Sequence, residues 1–103
     1  MVKICIMANF KKHIVFPKQL QLLEVFGENL KLARKRRKLT VLQASERASV
    51  DRGTLRKIER GDPSVSLGAY VNVLRVYNLQ EEILKIAADD PYGRKLQDLE
   101  TLS

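Results

Sequence analysis

Leu39-Thr-Val-Leu-Gln-Ala-Ser-Glu-Arg-Ala-Ser-Val-Asp-Arg-Gly-Thr-Leu-Arg-Lys-Ile-Glu-Arg-Gly61 decides the fold of this 103-residue chain. Thr40, with Gln43 three residues on, makes a capping box and predicts a short helix from about Val41 to Ala48. Ser49-Val50-Asp51 turns the chain, and Asp51 suits the N-cap of a second short helix, about Arg52 to Arg60. Gly61-Asp62-Pro63 ends it, because glycine suits the C-cap and proline cannot continue a helix. Directly in front lies the basic run Arg34-Lys35-Arg36-Arg37-Lys38. Two short helices across a tight turn, beside concentrated positive charge, point to duplex DNA as the partner.

The charge distribution supports that helix-turn-helix reading. The formal net charge is +7, but it is not spread evenly. Between Lys31 and Arg60 there are eleven Lys/Arg against three acids, and the rest of the chain holds eight bases and nine acids. Positive charge confined to the motif and its lead-in is what phosphate contact requires. A solvated basic face with no partner is the bland alternative.

Working outward, Pro17 suits a helix start. From Lys18 to Lys38, Leu20, Leu23, Phe26, Leu30 and Ala33 keep to one face, broadened by Leu22, Val25 and Leu32. Gly27 is expected to bend or interrupt this segment, giving one long helix or two short ones. Ser66 caps a fourth helix through Val76, and Asn78 separates it from a fifth, about Gln80 to Ala88. The expectation is an all-α, five-helix domain over residues 18–88, a leader over 1–17 and a polar tail over 89–103, extended or partly helical. The apolar start, Met1 to Ala8, fits an added strand, a disordered leader or a true start at Met7.

Leu55 and Ile58 are three apart and face inward in the third helix, which leaves Arg52, Gly53, Thr54, Arg56 and Lys57 outward. Base contacts are expected from Arg52, Gly53, Thr54 and Lys57. Arg52 can chelate guanine through O6 and N7, Lys57 reaches the same acceptors, and Thr54 can touch a thymine methyl. Gly53 reads nothing itself but lets the backbone approach closely. Phosphate contacts are expected from Lys31, Lys35, Arg36, Arg37, Lys38, Thr40 and Arg56; these raise affinity without choosing sequence. The fourth and fifth helices carry more apolar residues than one small core readily uses. Leu67, Val71 and Leu74 are expected to close the core, with Tyr70, Tyr77, Ile83 and Ile86 available to a dimer or partner. All of them lying in the core is the other reading.

Ile58-Glu-Arg-Gly61, the Val50/Leu55/Ile58 apolar frame and the Leu30-x-x-Ala-Arg-x-x-Arg37 lead-in resemble the Xre/Cro-type helix-turn-helix family over about Phe26 to Leu84. The resemblance implies a structural ion pair between Arg34 and Glu59. It also sets out departures: Val41 stands where the family commonly has a phosphate-clamping glutamine, Ala44 and Ser45 replace leucine and alanine, and Ser49 replaces the turn glycine. Phe26-Gly-Glu-Asn-Leu-Lys-Leu-Ala-Arg34, Gly61-Asp-Pro-Ser-Val-Ser-Leu-Gly-Ala-Tyr70 and Asp90-Pro-Tyr-Gly-Arg-Lys-Leu-Gln97 look like HipB-type antitoxins. Those accompany HipA-like serine/threonine kinase toxins, form dimers and repress their own operon. By that resemblance the tail is a candidate kinase-contact or dimer-contact segment.

No catalytic site, cofactor or metal is expected. His13 is the one histidine and Cys5 the one cysteine, which leaves no Ser-His-Asp, Cys-His or metal-ligand cluster to build. A lone cysteine and no apolar run near 20 residues fit a cytoplasmic protein without a membrane span. The leading expectation is a dimeric repressor on a palindromic operator, as the antitoxin of a HipA-like kinase. The alternatives are a protein-interaction module that uses the fold as a scaffold, which Val41, Ser49 and Gly53 favour, and a stand-alone phage-type repressor.

Overall fold

The computed structural model describes residues 14–102. The apolar start Met1 to Ala8, with Cys5, and His13 lie outside them, while the expected leader's last residue, Pro17, already opens the first helix. The described residues are all helical: α1 (Pro17–Arg36), α2 (Val41–Ala48), α3 (Arg52–Glu59), α4 (Leu67–Val76), the 3-10 helix η1 (Gln80–Lys85) and α5 (Pro91–Leu102). Among the described residues no helix is long and apolar enough to cross a membrane.

Side chains set the short helices' starts. Thr40 accepts a hydrogen bond from the Gln43 backbone N–H while the Gln43 side chain accepts one from the Thr40 N–H. Asp51 accepts from the Thr54 N–H, and Ser66 from the Ala69 N–H. Each cap occupies a donor that the first turn cannot satisfy internally.

The core lies where α1 packs on α3, α2 on α3 and α4, and η1 on α4. Leu30, Ala33, Ala44, Ala48, Leu55, Ile58, Val73 and Leu74 are buried in it. The surplus of apolar residues in α4 resolves differently from the sequence expectation. Tyr70, Val73, Leu74 and Tyr77 occupy positions i, i+3, i+4 and i+7 and turn inward together. Tyr77 is 1 % exposed, so it is not available to a dimer or partner; Tyr70 is 4 % exposed and shows only a sliver of surface, beside Phe26 and Ile83. Leu67, expected to close the core, is exposed at the helix's first turn. Ile83 is half-buried and Ile86 exposed.

Gly27 neither bends nor breaks α1, which runs unbroken for 20 residues. A Cβ at Gly27 would lie 2.5 Å from the Gly61 N and 2.6 Å from the Ile58 O. The glycine therefore lets α1 cross the end of α3 backbone to backbone. Gly61 answers from the other side: it sits at φ 74, and a Cβ there would run into the Leu23 carbonyl. Leu22, Val25 and Leu32 do not broaden the buried face of α1; they are exposed.

The expected fifth helix is the short 3-10 element η1, without a side-chain cap and followed by Ala87 at φ 63. The tail is more regular than its polar composition suggests. Asp90 caps α5 by accepting from the Gly93 N–H, and Pro91 takes the first helical position.

Candidate nucleic-acid interface

The inner face of α3 is fixed by Leu55 and Ile58, both fully buried, and by Glu59. Glu59 meets Arg34 in a two-point contact: Arg34 Nε donates to Oε2 at 2.7 Å and Nη2 to Oε1 at 3.1 Å. Arg34 Nη1 also donates to the Leu39 carbonyl at 3.0 Å. Glu59's hydrogen bond holds the Arg34 guanidinium above its already high ordinary pKa. One guanidinium thus ties the end of α1, the α1–α2 link and the end of α3 together, with the fork geometry suited to a carboxylate.

With that face buried, helix geometry decides what α3 shows outside. Gly53 and Lys57 lie one turn apart near the middle of the outward face, with Arg56 beside them and Arg52 and Thr54 at its shoulders. Arg52, Gly53, Arg56 and Lys57 are exposed, and Thr54 is half-buried. Arg56 and Lys57 fall in the last turn, where cations complement the helix dipole. Sequence reasoning left Arg60 unassigned. Arg60 is exposed at the C-cap and continues the four-residue spacing of Arg52 and Arg56, a signal present in the sequence.

Asp51 caps the start of this helix. The Thr54 backbone N–H holds its carboxyl below the usual carboxylate value, with the positive charge of Lys57 a smaller influence in the same direction. Asp62, just after α3, is lowered by its hydrogen bonds from the Ser64 hydroxyl and backbone N–H. Tyr70 donates its hydroxyl proton to the Asp62 carbonyl at 2.7 Å and stacks on Phe26. It therefore pins the loop that leaves α3, a role composition does not reveal.

The expected phosphate-contact residues divide. Lys35, Arg36 and Lys38 are exposed, and Lys31 is half-buried. Thr40 is exposed but its hydroxyl oxygen serves the α2 cap. Arg37 is not a free arm. It donates to the Ala33 and Tyr77 carbonyls at 3.0 Å each, and its guanidinium lies 5.4 Å from the Tyr77 ring centre. Beneath it, burial pushes the Tyr77 phenol up to about 12. Val41 packs against the core rather than reaching outward. Ser49 adopts the left-handed conformation at φ 56.

Among the described residues no group of three or more His, Cys, Asp or Glu is placed to hold a metal ion. The arrangement can present a cationic helix face to a polyanion. A search of curated proteins finds no match. A family model described as a helix-turn-helix domain matches residues 25–84, from the middle of α1 to the end of η1. That match spans more than half of the chain and contains both the buried brace and the exposed face of α3, so the protein belongs to the helix-turn-helix domain family, a family of DNA-binding regulators.

Proposed function

We propose that the protein is a sequence-specific transcriptional repressor that binds a palindromic operator as a homodimer, with α3 in the major groove. The observation that carries this reading is the division of α3. Its inner face is locked by Leu55, Ile58 and the Glu59–Arg34 pair, and its outer face offers Arg52, Arg56 and Lys57 around a bare Gly53. Arg52 and Lys57 read base edges and Thr54 adds a methyl or phosphate contact. Lys35, Arg36 and Lys38 hold the phosphates. One recognition helix covers few base pairs, so a two-fold dimer reading two half-sites supplies the specificity.

The test is binding to the protein's own promoter fragment against a random fragment of equal length, at near-physiological salt. Arg52→Ala is expected to lower promoter affinity by about 5- to 150-fold, the equivalent of one lost bidentate guanine contact, and random-fragment affinity little. Lys35→Ala is expected to lower both alike. Equal losses from the two substitutions would remove the groove assignment.

A narrower form of the reading makes the protein the autoregulating antitoxin of a HipA-like kinase. It is supported by Gly61-Asp-Pro and Asp90-Pro-Tyr-Gly-Arg-Lys-Leu96. Its test is a kinase gene beside this one whose product co-purifies with the chain; the lack of either would leave the repressor without that partner.

A further inference from the structure

Two apolar surfaces of this chain have no helix packed on them among the described residues. The first is a groove of about 240 Å³ between α1, α4 and η1, lined by Phe26, Leu67, Tyr70, Leu74, Ile83 and Ile86. Its one charged lining residue is Glu82. The second is the stripe Tyr92, Leu96 and Leu99 on α5. These residues are spaced four and three apart, share one helix face, and are 73, 48 and 64 % exposed.

α5 is a formed helix without a support. Its 12 residues start on the Asp90 cap, yet it packs on no other element to an extent comparable with the core pairs. An isolated helix of that length is marginal in water, and packing of an apolar face is what stabilises such helices in proteins. The chain does not return α5 to its own groove. It leaves η1 through an extended Ile86 and a left-handed Ala87, and no residue after Ile86 lines the groove.

We propose that the groove receives α5 of a second copy, and that two chains exchange their C-terminal helices reciprocally. Charge does not oppose the match: Lys95 lies about 60° round the helix from the centre of the stripe, where its ammonium can join the exposed pair that the partner's Glu82 makes with Lys85 at 2.8 Å. The size fits. A specific dimer buries about 1,600 Å² in total, or about 400 Å² for each groove and each helix face of a reciprocal pair. On the helix face Tyr92 supplies the largest share, at about 150 Å² for its one aromatic ring, and Leu96, Leu99 and the flanking stems add to it. The proposal deepens the dimeric reading above and concerns only how the dimer is held.

The experiment uses the full chain with Leu96 replaced by the photoreactive residue p-benzoylphenylalanine, prepared as an equal mixture of isotope-labelled and unlabelled protein. Irradiation is expected to give dimer-mass products that join labelled to unlabelled chains, with the attachment inside the segments holding Phe26 or residues 67–86. In sedimentation, L96E/L99E is expected to halve the mass of the unsubstituted protein. Three results would each overturn the exchange. They are cross-links confined within one chain, cross-links to another surface or none, and an L96E/L99E protein that keeps the dimer mass. The promoter assay reads out separately. A protein that selects its promoter but shows no inter-chain cross-link sinks the exchange alone. A cross-linked dimer indifferent to DNA sequence sinks the repressor reading alone.

Discussion

The α1–α3 crossing and the α4–η1–α5 end of the molecule differ in how completely their side chains are met within the chain. At the crossing, every unusual residue has a partner: Gly27 lies against the Gly61 backbone, and Arg34 against Glu59 and the Leu39 carbonyl. At the other end, large apolar side chains such as Ile86, Tyr92 and Leu99 lie open, and the Tyr77 hydroxyl is buried without a hydrogen-bond partner. The difference separates two kinds of order. The crossing is determined by contacts within one chain, so it tolerates little change. The other end leaves helix and surface uncovered within the chain, so it tolerates change there.

Gly27→Ala is the harshest test of that contrast. The new methyl would meet backbone atoms at 2.5–2.8 Å, and backbone cannot swing aside as a side chain can. The expected loss is about 3 kcal/mol or more, read from denaturant unfolding. Gly53→Ala is the control, because a Cβ there meets only the Asp51 carboxylate at 3.5 Å. It should stabilise the helix by about 0.5–1 kcal/mol and, if α3 docks closely in the groove, weaken operator binding. A Gly27→Ala protein as stable as the parent would show that the crossing can slide.

Next comes Glu59→Leu, expected to cost about 3–5 kcal/mol by leaving Arg34 buried without its counter-charge. Adding Arg34→Met should recover much of the loss. A double variant worse than Glu59→Leu alone would mean that Arg34 acts mainly through the Leu39 carbonyl. Smaller again is Tyr77→Phe. Removing a buried hydroxyl that lacks a partner should leave stability unchanged or raise it by about 1 kcal/mol. A loss would reveal a contact to that hydroxyl.

The smallest effect expected is with pH. Asp51 and Asp62 have carboxyls lowered in the folded chain from an ordinary value of 3.8. Folding therefore favours their charged forms. Their contribution is present above 3.8 and is lost as pH falls through the lower folded values. Asp51→Asn keeps an acceptor at the cap and should flatten part of the acid decline in the unfolding midpoint. An unchanged decline would place the acid sensitivity elsewhere.

Signals that act within a few residues were legible in the sequence. The Thr40–Gln43 box, the Asp51 and Ser66 caps and the inward Leu55 and Ile58 need only local spacing, and the helix-turn-helix follows from them. What was not legible depends on distant partners. A glycine within a helix reads locally as a break, and only Gly61, far along the chain, makes Gly27 a crossing point. Arg37 sits in a run of like cations, and only α4's last turn draws it inward. Tyr70 and Tyr77 looked surplus because apolar count does not say which stripe of α4 meets the core. The α5 start is a different miss. Asp90-Pro91 is a local cap that the polar composition of the tail obscured.

The three-way grip of Arg34 has a consequence for the energetics of recognition. Because α3 is fastened to α1 and to the α1–α2 link in the free protein, docking need not order it. Association then loses little backbone entropy within the domain. Its heat-capacity change should reflect only the surfaces brought together, without the larger decrement of coupled folding. Under the proposed repressor reading, the recognition helix arrives already assembled, and discrimination among sequences falls to the few side chains that project from it.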